Sequence, residues 1–564
     1  MGVILAVSGS AVGLGNFLRF PGKAAEFGGG AFMLAYFVSF LVIGLPICWA
    51  EWTMGRYAGE KGFHSCPGIL TAVWRRPAAK YIGIIGVVIP TVIYMYYVYI
   101  EAWCLGYAVN FLAGTMDFAS VEESARFWGH FIGVEKNGGA VAFSLDSVGL
   151  YLILAFILNI ILIYRGLTKG IEWFCKYAVP TLIVLAIIVL VRVLTLGAPD
   201  ETLPERSIIN GMGFMWNPQK TIIEDVRSDP PLMLQEVVGN ELSRSSPLVE
   251  GVFKDAPYLR MRTVSIWEQL CKPGLWLAAA SQIFFSLSVG FGIILTYASY
   301  MSRRDDVVLS GLTAGSANEF CEVALGGLIT VPAGFAFLGA AGLAGAGLGA
   351  FDLGFKVLPL VFSEMPLGAF FGALFFFLLF LAAVTSSLSM LQPGIAFLEE
   401  GLSLRRWQSV GMLTLIMAMG CGFVVYFSAG VKALDTLDFW VGTFLIYVLA
   451  AIQIVLFGWV MGVEKGFAEA HKGAAMRIPR IFIFLIKYVC PLFLLSVFAG
   501  WLLIEVVGVG GGTLDSHITD LFGVRGQAVH PVAWGGIGLI AIVALGVFLV
   551  IRSAPHRYRS MENA

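Results

Sequence analysis

The stretch SGSAVGLGNFLRFP, from Ser8 to Pro21, decides the fold of this chain. It lies in an apolar amino terminus and is interrupted by three glycines, Gly9, Gly13 and Gly15. Glycine lets the backbone leave a helix, so the stretch predicts a broken membrane helix whose unpaired carbonyls turn toward a protein-lined cavity. Such carbonyls suit a sodium ion. Asn16 and Arg19 follow within one turn, and polar groups at membrane depth indicate a functional site.

The composition of the whole chain is that of a polytopic membrane protein. Of 564 residues, 58% are hydrophobic and 13% are charged, and the mean hydropathy is +0.84. The formal net charge of -1 comes without a basic stripe, which argues against nucleic acid as a partner. The eight cysteines stand singly, so we expect buried hydrophobes rather than a disulfide or metal framework. The sequence has no phosphate-binding loop and no nucleophile and base pair, so an enzyme is not predicted.

Apolar windows of roughly 20 residues predict about twelve membrane helices. Their centres lie near residues 12, 43, 95, 155, 183, 288, 322, 380, 416, 446, 492 and 542. The sixth window contains IFFSLSVGFGIILTYASY, Ile283 to Tyr300, in which Val289–Gly292 repeats the VGxG of Val12–Gly15. A helix broken at the same tetrapeptide in each half of the chain indicates an internal repeat.

Lysine and arginine concentrate in alternate short loops, for example at Arg75, Arg76 and Lys80. By the positive-inside rule, these loops and both termini face the cytoplasm. No cleavable signal peptide is expected. Two long segments, 114–147 and 197–272, then lie outside. The second segment is mixed in charge and is expected to hold short helices or a flexible flap.

Five further motifs carry a resemblance to a known family. They are EWTMGRYAG (Glu51–Gly59), YYVYIEAW (Tyr96–Trp103), QIFFSLSVGFG (Gln282–Gly292), TSSLSMLQP (Thr385–Pro393) and LDFWVGT (Leu437–Thr443). With them, nearly the whole chain resembles bacterial members of the neurotransmitter:sodium symporter family. The resemblance implies an all-α polytopic fold of about twelve helices, with a 5+5 inverted repeat and broken helices 1 and 6. It also places the protein in the bacterial cytoplasmic (inner) membrane.

The same resemblance divides the single transporter domain, residues 1–564. The parts are a first inverted repeat at 1–195, a long extracellular loop at 196–272, a second inverted repeat at 273–458, and helices 11 and 12 at 478–552.

Two sodium ions are implied by the resemblance. The first ion would be bound by Ala11, Asn16, Ser286, Asn318 and the carboxylate of the substrate, which couples ion to solute. The second would be bound by Gly9, Val12, Ala382, Thr385 and Ser386, all through oxygen atoms. Taken alone, the two hydroxyls of Thr385 and Ser386 fit bonds back to their own helix equally well.

The substrate pocket implied by the resemblance has twelve residues: Ser10, Ala11, Gly13, Gly15, Ile93, Tyr97, Phe285, Ser286, Ser288, Phe291, Ser386 and Met390. Half-helix amino-terminal ends favour a carboxylate there. Gly13 stands where monoamine carriers of the family place an aspartate, so the substrate must bring its own carboxylate, which favours an amino acid. Ser10 and Ser286 replace an asparagine and a threonine of a bacterial member and, with the apolar lining, suggest an aliphatic or small neutral side chain.

Gate residues follow from the same resemblance. Arg19 would pair with Asp438 above the pocket, since both charges need partners at membrane depth. The lid of the pocket would be formed by Tyr97 and Phe285. The matching cytoplasmic positions are Ser299, Tyr300 and Glu400. The arginine that usually accompanies them precedes the first span in the family and does not occur in this sequence.

Glu322 lies four residues after Asn318, on the same helical face. Its position matches that of a carboxylate that stands in for chloride in chloride-independent bacterial members. The resemblance therefore implies no chloride requirement, with the negative charge supplied by Glu322. The alternative is a neutral, hydrogen-bonded carboxyl in the core.

The predicted function is sodium-coupled import of a neutral amino acid by alternating access, with the amino acid and the lipid bilayer as partners. Two alternatives stay open. One is a sodium-dependent carrier of a betaine, an amine or another osmolyte, and the other is a transport-dead sensor on the same scaffold. A homodimer also stays open.

Overall fold

The structure is a computed structural model that describes residues 7, 9–227, 232–237, 258–345, 351–509, 514–523 and 528–553. Ser8, in the stretch that predicts the first break, lies outside the described residues. So do residues 228–231 and 238–257 of the charge-mixed insertion.

Nine helices of the described chain are long and apolar enough to cross a membrane. They are span 2 (Gly30–Gly59), span 3 (Pro77–Leu112), span 5 (Leu167–Leu194), span 7 (Val307–Ala340), span 8 (Gly368–Leu402), span 9 (Arg406–Tyr426), span 10 (Ala429–Ala470), span 11 (Ile481–Val506) and span 12 (Pro531–Ser553). Three shorter or broken spans of the described chain follow: span 1 (residue 7 and residues 9–26), span 4 (Val148–Tyr164) and span 6 (Pro273–Leu287 with Ile293–Ala298). Ten of the predicted centres fall inside a helix, and the centres near 12 and 288 fall at the breaks of spans 1 and 6. The all-α polytopic prediction is confirmed.

Short helices connect the spans. They are Cys66–Val73, Val121–Ile132, Ile208–Trp216, Ile266–Leu270, Leu358–Glu364 and Ser516–Phe522. Several spans also contain π-helical turns, which often mark functional sites. Three of these turns carry predicted site residues: Gly15–Arg19, Phe320–Gly327 and Asp438–Leu445.

Spans 1 and 6 are broken at the predicted places. Span 1 is helical to Ala11, bends at Val12 and Gly13, and resumes in the π-helical turn that leads to helix Phe20–Glu26. Span 6 stops at Leu287 and resumes at Ile293. The break thus frees backbone groups in the middle of both spans, as the VGxG repeat indicates.

Two glycines make the break in span 6 possible. Gly290 and Gly292 have φ of 78° and 79°, a region that side chains other than glycine rarely enter. A Cβ at Gly290 would lie 2.7 Å from the Ile446 carbonyl oxygen, and one at Gly292 would lie 2.5 Å from that of Gly86. The broken segment therefore packs directly against the backbones of spans 3 and 10.

Spans 3 and 8 form the centre of the molecule. Span 3 is apolar on nearly all faces and buried along most of its length, as expected for a helix enclosed by others. Its Tyr107 ring lies 4.8 Å from the ring of Phe376 on span 8, centroid to centroid. This pairing gives the broken spans 1 and 6 a rigid surface to pack on.

The long insertion contains a three-stranded antiparallel sheet that was not predicted. Its strands are β1 (Lys220–Asp225), β2 (Leu232–Val237) and β3 (Leu259–Val264), in the order β2-β1-β3. Glu224 of β1 pairs with Arg260 and Arg262 of β3 at 3.5 and 3.3 Å. The short helices that were expected there also occur, at Ile208–Trp216 and Ile266–Leu270.

Candidate functional site

The breaks of spans 1 and 6 meet spans 3 and 8 around a cavity of about 20 Å³. It is lined by Ser10, Ala11, Gly13, Gly15, Asn16, Tyr97, Phe285, Ser286, Ser288, Phe291, Ser386 and Met390. Eleven of the twelve residues predicted for the substrate pocket are in this set. Ile93 is not; it is buried one helical turn from Tyr97, about 6 Å along span 3, while Tyr97 borders the cavity.

The side chains predicted for the first sodium ion form one hydrogen-bonded group. Asn16 accepts a bond from the Gly13 amide at 2.8 Å and donates one to Asn318 Oδ1 at 2.8 Å. Asn318 in turn donates to Ser286 Oγ at 2.5 Å. Ala11 lines the same cavity. The fold therefore gathers these oxygen atoms from spans 1, 6 and 7, as a hard cation requires.

Glu322 lies at the back of this group and is fully buried. Its carboxylate accepts hydrogen bonds from Gln282 Nε2 at 2.6 Å, from Asn318 Nδ2 at 3.1 Å and from the Ser286 hydroxyl. Asn16 Nδ2 adds a longer contact at 3.4 Å. Hydrogen-bond donors around a carboxylate favour its charged form, while burial opposes it.

The residues predicted for the second sodium ion join spans 1 and 8. Ser386 Oγ donates to the carbonyls of Gly9 and Ser10 at 3.5 and 3.2 Å. Thr385 Oγ1 donates to the Ala382 carbonyl of its own helix at 2.9 Å. Thr385 thus makes the back-bond that the alternative interpretation expects, whereas Ser386 reaches across to span 1. Val12, the fifth predicted ligand, is buried at the bend of span 1.

The free backbone of span 6 has a partner on span 2. The Gly290 amide donates to Glu51 Oε1 at 3.1 Å, and Glu51 is fully buried. An unpaired amide at this depth would be costly, so Glu51 stabilises the broken conformation.

The two charged residues predicted to form the outer gate, Arg19 and Asp438, are not paired in this conformation. Arg19 and Asp438 line one small cavity with Tyr97 and Phe285, but no ion pair joins them in the described part of the chain. Arg19 donates to Ser281 Oγ at 3.1 Å, and its guanidinium carbon lies 4.4 Å from the centroid of the Phe285 ring. Asp438 accepts a bond from the Tyr96 hydroxyl at 2.7 Å. Each charge is thus satisfied by a separate partner, and the expected contact is not made in this conformation.

The three positions predicted for the cytoplasmic gate lie together, beside residues that were not predicted. Gln392 donates to the Tyr300 hydroxyl at 3.1 Å, and Arg406 donates to Gln392 Oε1 at 3.1 Å. His64 and Ser65 contact the other two positions, Ser299 and Glu400. Ser65 carried one local signal, because a serine before Cys-Pro is typical of a helix N-cap.

Comparison with known proteins agrees with this arrangement. The profile of the sodium:neurotransmitter symporter family matches residues 1–129 and 249–508. An uncharacterized sodium-dependent transporter of Methanocaldococcus jannaschii is 26% identical over 513 residues, which cover 88% of each chain. The sodium-dependent serotonin transporter of Drosophila melanogaster is 24% identical over 526 residues, 88% of this chain and 74% of that one.

A solved structure is similar as well. The crystal structure of MhsT in complex with L-phenylalanine superposes with a TM-score of 0.67 and 27% sequence identity, and covers 88% of this chain and 97% of that chain.

The fold, with these relatives, thus defines a multi-pass membrane protein that transports a small molecule and uses sodium. The chain belongs to the sodium:neurotransmitter symporter family, which is a family of transporters and not of enzymes.

Proposed function

We propose that this protein imports a small neutral amino acid together with sodium by alternating access. One observation carries the proposal: none of the twelve residues that line the central cavity is an aspartate or a glutamate. The cavity nevertheless lies beside the oxygen atoms of Asn16, Ser286 and Asn318. A solute that carries its own carboxylate would complete that sodium site, and its ammonium group would meet carbonyls and hydroxyls.

The size of the cavity limits the substrate. About 20 Å³ is little more than the space of one water molecule, and the rings of Phe285 and Phe291 border it together with Met390. A small side chain needs the least rearrangement. L-phenylalanine, which is bound in the MhsT structure, would require a larger movement of these three side chains.

Two sodium ions per transport cycle fit the two groups of oxygen atoms. The first group is Ala11, Asn16, Ser286 and Asn318, and the second is Gly9, Val12, Ala382, Thr385 and Ser386. We further infer that Glu322 supplies the negative charge beside the first group, so that transport does not need chloride.

The arrangement in the membrane follows the same proposal. Residues 1–195 and 273–458 form two inverted repeats, 196–272 lies outside, and both termini face the cytoplasm. The protein then lies in the cytoplasmic (inner) membrane of a bacterium. A homodimer is compatible with this arrangement.

The melting temperature of the detergent-purified protein tests the proposal. Each common amino acid is added in sodium chloride and in choline chloride, because a ligand that binds only the folded state raises the melting temperature. A ligand at 100 times its Kd adds about 2.7 kcal/mol to the free energy of unfolding. We expect a shift that requires both sodium and a small neutral amino acid. The same assay is run with a betaine and with an amine. A shift with one of these solutes but with no amino acid would instead favour an osmolyte carrier. Binding of a solute without its uptake into vesicles would favour a sensor.

A further inference from the structure

A short loop after span 2 contacts the ends of two other spans. The loop comprises residues 60–65, between the end of span 2 at Gly59 and the helix Cys66–Val73. It lies against Ser299 and Tyr300, which directly follow span 6, and against the last turns of span 8. No residue of this loop was predicted to have a function.

The first contact joins the loop to span 6. The ring of His64 stacks on the ring of Tyr300, with centroids 4.6 Å apart and planes inclined by 4°. His64 Nδ1 lies 2.9 Å from Ser299 Oγ. Since the Ser299 hydroxyl donates its proton to the Thr296 carbonyl at 2.6 Å, Nδ1 is the donor in this bond.

The second contact joins the loop to span 8. Glu400 Oε2 accepts hydrogen bonds from the amides of His64 at 2.8 Å and Ser65 at 3.0 Å. Glu400 Oε1 accepts one from Ser65 Oγ at 2.7 Å. Bonds to a carboxylate are among the strong hydrogen bonds of proteins. Ser65 and Glu400 are 0% and 7% exposed, so water competes little for them.

The helices on both sides of the loop fit closely against the same two spans. A Cβ at Gly59 would lie 2.0 Å from the Ser299 carbonyl oxygen, and a Cβ at Gly68 would lie 2.4 Å from Glu400 Oε1. These close contacts leave little space around the loop. The loop can move away from Ser299 or Glu400 only if the hydrogen bonds of His64 and Ser65 break, since such bonds weaken steeply once donor and acceptor separate.

We propose that residues 60–65 form a clasp that closes the side of the transporter on which Ser299, Tyr300 and Glu400 lie, with His64 as its positioning residue. This inference rests on the proposed function, because only a carrier that works by alternating access must open this side to release its solute. The clasp gives Glu400 three donors from this loop and fixes the Tyr300 ring. Opening then requires the His64 stack and at least one of these bonds to be lost.

Cysteine labelling of the full-length protein tests the clasp. Cys66 directly follows the loop and is 1% exposed, whereas Cys104 on span 3 is 0% exposed and reports unfolding. Cys271 is exposed and is replaced by serine in every sample. Labelling by N-ethylmaleimide in sodium chloride and in choline chloride is followed at each cysteine by mass spectrometry. The variants are His64→Ala, which removes both His64 side-chain contacts, and His64→Phe, which keeps the stacked ring. The matched control is His130→Ala, an exposed histidine of helix Val121–Ile132.

We expect N-ethylmaleimide to label Cys66 about tenfold faster in His64→Ala than in the parent, since a ring stack and a hydrogen bond are both lost. His64→Phe should restore part of the protection, and the Cys104 rate should not change. Equal Cys66 rates in His64→Ala and its parent would overturn the clasp, and so would a parallel rise at Cys66 and Cys104. These rates do not depend on the substrate. If no amino acid shifts the melting temperature in sodium, the proposed function fails while the labelling still decides the clasp.

Discussion

The ring of His517 stacks on the ring of Phe439, with centroids 4.0 Å apart and planes inclined by 3°. Phe439 directly follows Asp438, the predicted outer gate residue, and His517 belongs to the helix Ser516–Phe522 between spans 11 and 12. The two ring nitrogens face carboxylates: Nδ1 lies 2.8 Å from Asp515 and Nε2 lies 3.2 Å from Asp435. A protonated His517 therefore holds this connecting helix on the start of span 10.

The first prediction concerns alkaline pH. Burial alone would lower the pKa of His517, but Asp435 and Asp515 outweigh it and raise the pKa to about 9. A histidine whose pKa is raised in the folded state contributes its full stabilisation below its unfolded-state pKa of about 6.5. This contribution is lost as the pH rises through the folded-state pKa of about 9. Between pH 7 and pH 10 we expect the free energy of unfolding of the parent to fall by ~2 kcal/mol more than that of His517→Asn, after allowance for solvent screening. Lys432, 3.5 Å from Asp435, limits the loss.

The measurement is the melting temperature of the parent, His517→Asn and the control His130→Asn across that pH range. The melting temperatures of the parent and the control should fall together as the pH rises. His517→Asn should melt at a lower temperature at neutral pH, and its melting temperature should change less above neutral pH. Parallel curves for all three proteins would contradict the prediction.

The second prediction concerns the space at Gly13. A Cβ there would lie 2.7 Å from Ser386 Oγ and 3.2 Å from the Tyr97 hydroxyl, both of which border the cavity. Overpacking of this kind costs about 1–3 kcal/mol. We therefore expect Gly13→Ala to weaken amino acid binding about tenfold or more, as measured by the concentration dependence of the melting shift in sodium.

The matched control is Gly213→Ala, because a Cβ at Gly213 meets no atom within 4 Å. This control should bind the amino acid like the parent. Unchanged binding by Gly13→Ala would show that the solute does not occupy this cavity.

The third prediction concerns the charge of Glu322. In Glu322→Ser the donors of Gln282 and Asn318 remain and face a site that has lost its carboxylate. We expect chloride to occupy that site, so that stabilisation by sodium becomes weaker in sodium gluconate and returns in sodium chloride. The parent should respond equally to both salts.

Glu364→Ser, which changes an exposed glutamate, is the control for this experiment and should behave like the parent. A salt response of Glu322→Ser that equals that of the parent would favour the alternative of a neutral core carboxyl.

The breaks and most of the cavity lining could be predicted because their signals are local. Gly290 and Gly292 can take the positive φ that the break in span 6 requires, and the VGxG repeat marks a break in span 1 as well. Once the breaks are located, the family pattern adds partners on spans 3 and 8. Ile93 stays a prediction, because it does not line the cavity in this conformation and a pattern of residue types does not tell which of two successive turns of span 3 borders it.

Contacts between distant parts of the chain left no such signal. His64 is one of four polar residues in the six-residue loop 60–65, and its partners lie more than 230 positions away, at Ser299 and Glu400. Arg19 was assigned to Asp438 by analogy, although nearer partners, the Ser281 hydroxyl and the Phe285 ring, satisfy it in this conformation. Strand β1 was missed because six residues that contain a few β-branched side chains are ambiguous within a charge-mixed insertion.

The last prediction concerns Ser10, whose side chain is the specificity candidate of the cavity. Its hydroxyl is buried and has no hydrogen-bond partner in the described residues, while its carbonyl accepts bonds from Ser288 at 3.3 Å and Ser386 at 3.2 Å. An unpaired buried hydroxyl costs about 1–3 kcal/mol, which a solute with a hydroxyl group can recover. We expect Ser10→Ala to weaken binding of L-serine about tenfold and binding of L-alanine by less than about twofold. Melting shifts over a range of concentrations of both amino acids in sodium measure the two affinities in parallel. An equal loss for both would mean that the hydroxyl binds a group they share, such as the ammonium, and would rule out selection by the side chain.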